Sequence, residues 1–410
     1  MNYRGKVLVV SEIFWPEGGG AELATYLILK ILRDSGYSVT VVTGTNKPML
    51  IKNVKFHYTP LLGNYNRVRR WLGVYILSKS PWFIKLLRSH EIVYIPLHAY
   101  PLIPVAKKYG RKVIVHMHNY VACSYHGVKY YFEPLKPDVL DELRLGIWHE
   151  AHAQRSKVRT LIMPVSYSLY KLGKSWLEQA DTIICVSKKQ ADVIRTRLPE
   201  LSKKIAIIYN PLPEELINSN MVLEKRPSTT PTLLYGGGFS VIKGIYVLAK
   251  ALKNLETHGK NQRQRLLITY GRIGEHQKLI EVLRTLNTTK VEILGRIPYE
   301  EVLKLHRIIW ATLFPSIWEE PMPYAVLESA LLGTIPIASR TGGIPEILEG
   351  TPAEKYMFTP GEAGELVEKI EDITSLSPEE IISVGAKLRE DMLRRVHGWK
   401  IEKKLLRVFT

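Results

Sequence analysis

Four groups of residues in this sequence have the types and spacing to do chemistry. Glu320 and Glu328 stand eight positions apart, with Pro321, Met322 and Pro323 between them. Ionised glutamates only accept hydrogen bonds, which suits paired sugar hydroxyls. No Ser, Thr, Asp or Asn stands at Pro321 or Met322, so the N–H groups of Tyr324, Ala325 and Val326 open a helix with no side-chain cap. The positive end of such a helix holds a phosphate or a polyhydroxyl group. A surface helix with merely solvated glutamates would carry the same letters. The second group is the run from Tyr235 to Gly244, a strand end, three glycines and Lys243 at a helix start. Its glycines admit close backbone approach, and the lysine can neutralise a diphosphate as a point charge. It is not a Walker loop, because Gly-Lys-Ser/Thr is absent, and a solvated lysine at a helix start is the plainer reading. The third is Gly18-Gly19-Gly20 after the first strand, either a tight turn or a ligand contact; the dinucleotide fingerprint Gly-x-Gly-x-x-Gly is absent. The fourth is the alternation of His116 and His118 at the end of a strand. A metal there would need His126 and Cys123 as further ligands. Their placement matters more, since ligands bind outside the carboxyl ends of parallel strands.

The elements that must position these groups alternate regularly. The run 6–11 reads as a buried strand, 21–34 as a helix with Leu23, Leu27, Ile28, Ile31 and Leu32 on one face, and 38–43 as the next strand. Further strands read at 91–95, 112–115, 181–187 and 204–209, with a helix at 188–198 and others near 138–159 and 163–179. Residues 214–231, polar and interrupted by Pro227 and Pro231, suit a linker. The second half repeats the pattern, with strands at 232–236, 265–270, 290–294, 310–314 and 334–338 and helices at 243–257, 275–286, 299–308, 323–332 and 361–374. Strand–helix alternation implies parallel sheets covered on both faces. Two helices close the chain over 378–410.

A chain of 410 residues is comfortable for two domains, and 46% apolar with 23% charged residues is a globular composition. Cys123 and Cys185 supply no disulfide framework, which points to a reducing compartment. The N-terminus leads straight into a strand with no signal peptide expected, and no apolar run reaches the ~18–20 residues of a membrane span. The net charge of +18 is lopsided: residues 1–205 carry 31 Lys+Arg against 14 Asp+Glu, and the remainder 26 against 25. That asymmetry points to an anionic partner for the first half. Within it, residues 67–88 interleave cations and aromatics on a helix pair broken at Pro81. Arg67, Arg69, Arg70, Trp71, Trp82 and Phe83 read as a membrane or acceptor patch, and equally as amphipathic core helices with a solvated basic side. Nucleic acid would also answer the charge, but no recognition motif is visible and none is expected as a partner.

The Glu320–Glu328 stretch resembles the Glu-(seven residues)-Glu motif of the retaining glycosyltransferases of family four, which have the GT-B fold. The likeness extends over nearly the whole chain, most closely from 232 to 350. It implies an α/β protein of two Rossmann-like domains facing a central cleft. These would be a basic acceptor-side domain over 1–208, a nucleotide-sugar donor domain over 209–385, and a C-terminal helix over 386–410 packing back on the first. It implies that Glu320 faces the donor sugar, Glu328 the ribose, Gly19 and Gly20 the acceptor and donor phosphates, His118 the sugar near the reaction centre, and Ile297 the base. Met322, Tyr324, Ala325 and Val326 would line the donor pocket. The family's phosphate clamp pairs an arginine with a lysine. Lys243 matches the lysine, Gly238 stands at the arginine position, and Arg272 is a candidate substitute. Glu346, after Gly342-Gly343, reads as a hydrogen-bond holder for that turn. The implied activity is retaining transfer of a sugar from a nucleotide-diphosphate sugar to an acceptor hydroxyl, on a saccharide or a lipid-linked, anionic acceptor. With no Asp-x-Asp motif, it would be metal-independent and use no cofactor beyond the co-substrate. His118, Glu320 and Lys243 would be the catalytic groups, in a cytoplasmic protein working at the inner face of a membrane. The alternative is a catalytically idle GT-B protein that binds membrane or polysaccharide.

Overall fold

Buried Val, Ile and Leu runs bounded by Gly, Ser and Asp decide where the strands lie. The structure, a computed structural model, describes residues 3–63, 67–154, 156–218, 225–258, 263–269 and 277–410. Its first lobe contains β1 (Gly5–Ser11), β2 (Tyr37–Thr43), β3 (Lys55–Tyr58), β4 (Ile92–Ile95), β5 (Lys112–Met117), β6 (Thr182–Cys185) and β7 (Ile205–Ile207). All pair in parallel, in the order β3-β2-β1-β4-β5-β6-β7. Alternate residues of β1 feed opposite faces. Val7 and Val9 pack with Ile28, Leu29 and Leu32, while Leu8 and Val10 pack with Val74, Leu77 and Phe83.

The second lobe contains β8 (Thr232–Tyr235), β9 (Gln264–Thr269), β10 (Thr289–Gly295), β11 (Ala311–Phe314), β12 (Ile335–Ser339) and β13 (Met357–Phe358), in the order β10-β9-β8-β11-β12-β13. Apart from β7, this is the strand order of the first lobe. Each sheet therefore reverses direction once, between β1 and β4 and between β8 and β11. A crevice opens outside the strand ends at such a reversal. The loops carrying the four chemical groups leave from these strands or their neighbours: Gly18–Gly20 after β1, His118 after β5, Lys243 after β8 and Glu320 after β11.

The closing helices join the lobes. Ser377 caps the helix Pro378–Gly398 through a reciprocal bond with Glu380. Lys400, in the left-handed region at φ 51°, turns the chain, and the helix Ile401–Phe409 lies on the first lobe. There Phe409 is buried with its ring centroid 6.2 Å from Tyr37 and 5.4 Å from Tyr94. The short strands β3 and β13 were not legible in the sequence, being brief and at sheet edges. Residues 149–153 form a π-helical turn after the helix Val139–Trp148, where a longer α-helix was expected. Phe409→Ala would cost the first lobe about 3–5 kcal/mol, the usual loss for a buried aromatic. The check is a lowered urea midpoint for that lobe.

Candidate active site between the lobes

The loop after β11 and the turn after β8 meet through charge. Glu320, 5% exposed, accepts at Oε1 from Lys243 Nζ at 2.6 Å and from Ser316 Oγ at 2.7 Å. Lys243 lies 5.4 Å above the Trp318 ring. The residue expected at the sugar and the one expected at the phosphates thus form one charge-assisted pair. The turn that delivers Lys243 requires Gly244. Its φ is +79°, and a Cβ there would lie 1.7 Å from the Pro315 carbonyl oxygen. Gly238 also takes a positive φ, +58°. Arg272 lies outside the described residues.

The helix Tyr324–Leu331 has no side-chain cap. Of its three expected orphan donors, Val326 N–H bonds the Pro323 carbonyl at 3.2 Å, so Tyr324 and Ala325 carry the opening. The side chains of Met322 and Val326 are packed in the core, and only Ala325 is exposed. Tyr324 is buried too, its hydroxyl donating to Pro211 O at 2.6 Å. All three side chains are thus buried, and only the backbone N–H groups of Tyr324 and Ala325 open the helix. Glu328, one turn further in, accepts at Oε1 from Tyr299 O–H at 2.5 Å. Burial pushes its carboxyl up to about 7, while the Tyr299 bond works the other way. Ile297 is half-buried in the turn after β10.

From the first lobe, Gly19 N–H is taken by Glu22 Oε2 at 2.7 Å. A Cβ at Gly20 would lie 2.9 Å from the Tyr324 ring. A side chain at Gly20 would therefore press on the Tyr324 ring at this contact between the lobes. His118 is half-buried with an unpartnered Nε2, and its ring lies 4.2 Å from that of His116. Burial pushes it down to about 3, so it meets a ligand as a neutral imidazole. His116 is packed, its Nδ1 2.7 Å from Tyr94 OH. Among the described residues no group of three or more His, Cys, Asp or Glu converges as a metal site would.

Several contributors were missed in the sequence. Glu319 accepts from Gly342 N–H at 2.6 Å, with Lys129 Nζ at 3.6 Å and Lys189 Nζ at 3.9 Å. Residues 129–131 of the first lobe bridge to 317–319 of the second: Glu319 N–H donates to Lys129 O at 2.7 Å and Tyr131 N–H to Ile317 O at 3.1 Å. Glu346 does not hold its own turn. It accepts from Lys188 N–H at 3.0 Å, Lys189 N–H at 2.8 Å and Tyr209 O–H at 2.8 Å, capping the helix Lys188–Arg197 across the cleft. Beneath the first-lobe strand ends, fully buried Glu12 accepts from His98 N–H at 3.2 Å, and His98 Nδ1 lies 3.0 Å from Arg70 Nη1. None of these pairings has a fixed spacing in the chain.

The basic helix pair needs correction. Trp71 and Phe83 are core residues, 7% and 0% exposed, and Trp71 Nε1 donates to His98 O at 3.1 Å. They cannot touch lipid, because they fill the space between these helices and the sheet. Arg70 turns inward to His98, whereas Arg69 and Trp82 remain exposed. Arg67 opens the helix Arg67–Lys79, and its side chain lies outside the described residues.

The chain is similar to known proteins in sequence and in fold. Residues 18–216 match the family described as Glycosyltransferase Family 4, and residues 219–392 the one described as Glycosyl transferases group 1. The chain belongs to glycosyltransferase family 4. It is 22% identical over 404 residues to a phosphatidylinositol N-acetylglucosaminyltransferase component of Arabidopsis thaliana, covering 96% of this chain and 79% of that one. Its fold is GT-B. The sucrose-phosphate synthase of Thermosynechococcus elongatus superposes with a TM-score of 0.68 at 16% identity, over 99% of this chain and 98% of the other. Anabaena HepE in complex with UDP-glucose gives 0.67 at 15%, over 99% of both chains.

The second motif glutamate of this family 4 chain makes a stability prediction. With Glu328 raised from 4.5 to about 7, the folded state binds its proton more tightly than the unfolded state. Its contribution is therefore fully present below pH 4.5 and lost as pH rises towards 7. Glu328→Gln removes that loss. Its stability advantage over the parent is expected to grow between pH 5 and pH 8 by roughly 3 kcal/mol. Urea midpoints across that range check this.

Proposed function

We propose that this protein transfers a sugar, with retention, from a nucleotide-diphosphate sugar to a hydroxyl of an acceptor held at a membrane surface. The observation that carries the donor half is the Lys243–Glu320 pair, beside the uncapped start of Tyr324–Leu331, with Glu328 one turn inside that helix. On this reading Glu328 holds the ribose and the loop after β10, at Ile297, meets the base. Lys243 and the N–H groups of Tyr324 and Ala325 stabilise charge on the departing diphosphate, which is electrostatic catalysis. The donor's hydroxyls take Glu320, and Lys243 is released towards the phosphates. The neutral His118 bonds the sugar from the opposite lobe. No residue of the matched motifs is a convincing nucleophile, so displacement proceeds on one face, the leaving phosphate taking the acceptor proton. No protein metal ligand enters this scheme. The complex of Anabaena HepE with UDP-glucose makes UDP-sugars the first donors to try.

The membrane half rests on charge and exposure. Val68, Leu72, Tyr75 and Ile76 recur on one face of Arg67–Lys79 and are 47–56% exposed, beside Trp82 at 43%. An apolar stripe flanked by Arg69 and Lys79, on the lobe carrying nearly all the excess charge, suits the head-group region of an anionic bilayer. No helix among the described residues is long and apolar enough to cross one. The similarity to a phosphatidylinositol N-acetylglucosaminyltransferase component points the same way.

Two measurements test this. With UDP-, GDP- and ADP-sugars, the parent should transfer or slowly hydrolyse one donor. Lys243→Ala should lose about 100-fold in kcat, the scale of one preorganised charge contact. A parent inert towards every donor would leave the idle-protein reading, which Gly238 in the clamp favours. In flotation with neutral and anionic liposomes, binding should require anionic lipid and low salt. Leu72→Glu with Ile76→Glu should abolish it, and equal absence of binding in all conditions would remove the membrane acceptor.

A further inference from the structure

Tyr299 stands at a junction that the donor reading leaves unused. It opens the helix Tyr299–Leu305, directly after the turn at Ile297 and Pro298. Its hydroxyl donates to Glu328 Oε1 at 2.5 Å. Its ring packs edge-on against Trp15 of the first lobe, 5.8 Å between centroids with planes at 88°. Trp15 lies in the loop between β1 and the glycine run, the same loop whose Gly20 meets Tyr324. One side chain thus touches the base-side turn, the second motif glutamate and the opposite lobe.

We infer that Tyr299 is a positioning residue for ribose recognition: its O–H fixes the Glu328 carboxylate in the orientation that accepts the ribose hydroxyls, and Trp15 holds the ring there when the lobes are together. A carboxylate has about four acceptor sites. Tyr299 fills one on Oε1, leaving Oε2 and the second lone pair of Oε1 for a vicinal diol. Without that bond a buried carboxylate would be free to rotate and more easily protonated. The groups that face the pair electrostatically are Tyr324 of the same lobe and Glu215 of the short helix Glu214–Ile217, neither of them a cation. Tyr299 is the partner that favours the charged form of Glu328. This inference rests on the donor reading above and extends it.

The test is a cycle between protein and ligand, using the full chain and calorimetric binding of UDP and of 2′,3′-dideoxy-UDP. Tyr299→Phe should bind UDP about tenfold more weakly at pH 7.5, the scale of one bond to a charged group. It should bind dideoxy-UDP as the parent does, because the hydroxyls that sense the carboxylate are gone. The loss of UDP affinity at low pH should also begin at higher pH in Tyr299→Phe, since its Glu328 takes up a proton sooner. Trp15→Ala should weaken UDP in the same hydroxyl-dependent way. Equal weakening of both ligands in Tyr299→Phe, or an unchanged UDP affinity and pH profile while Glu328→Ala loses UDP, would overturn the inference and leave Tyr299 a packing residue. If the parent binds none of UDP, GDP and ADP, the donor reading fails first, and Tyr299 loses its role with it.

Discussion

A carboxylate taken out of water must be met by donors, and that requirement organises the cleft. Four acids of the second lobe, Glu319, Glu320, Glu328 and Glu346, lie at or near the facing strand ends. Each is satisfied by a different element. Lys243 and Ser316 hold Glu320, the Gly342 N–H holds Glu319, Tyr299 holds Glu328, and the first turn of Lys188–Arg197 holds Glu346. A buried charge left without its partner costs several kcal/mol. These contacts therefore fix the loops they join. The Gly342-Gly343 turn shows how tightly: a Cβ at Gly342 would sit 1.8 Å from the Glu320 carbonyl oxygen, and Gly343 N–H donates to that same oxygen at 2.7 Å.

The same contacts bind lobe to lobe. Glu346 caps a first-lobe helix, residues 129–131 bridge to the loop that carries Glu320, Gly20 lies against Tyr324, and Trp15 lies against Tyr299. The motif residues are therefore positioned partly by the opposite lobe. A change of interlobe angle would alter the surroundings of both motif glutamates at once. In the absence of a donor, Lys243 and Glu320 neutralise each other. On the proposed reading, a bound diphosphate and a bound sugar would each offer one of them a new partner, so donor binding would exchange one set of charge contacts for another.

The basic helix pair shows how an argument from composition can name the wrong atoms. Cations and aromatics do alternate over 67–88, and the lobe is strongly positive. Yet the helix must also cover the sheet, and the largest rings, Trp71 and Phe83, fill that interface. The exposed stripe falls instead on Val68, Leu72, Tyr75 and Ile76, on the helix face turned away from that interface. Which face of an amphipathic helix turns inward depends on the shape of its partner, and local letters do not record that.

The sequence by itself determined the architecture. Period-2 and period-3.6 apolar runs, with glycine and proline between them, place most strands and helices within a few residues, because buried parallel strands and one-sided helices leave a local signature. It also marked loops that the fold brings together, since Gly244, Lys243, Glu320 and Glu328 sit at fixed offsets from their strands. Only the tertiary structure decided who partners whom. The pairing of Lys243 with Glu320, of Tyr299 with Glu328, of Glu346 with a helix 157 residues earlier, and the inward turn of Arg70 all join positions with no fixed separation in the chain. The physical reason is the same throughout: a strand or helix is specified by its own neighbours, whereas a buried charge is satisfied by whatever donor the fold happens to bring beside it.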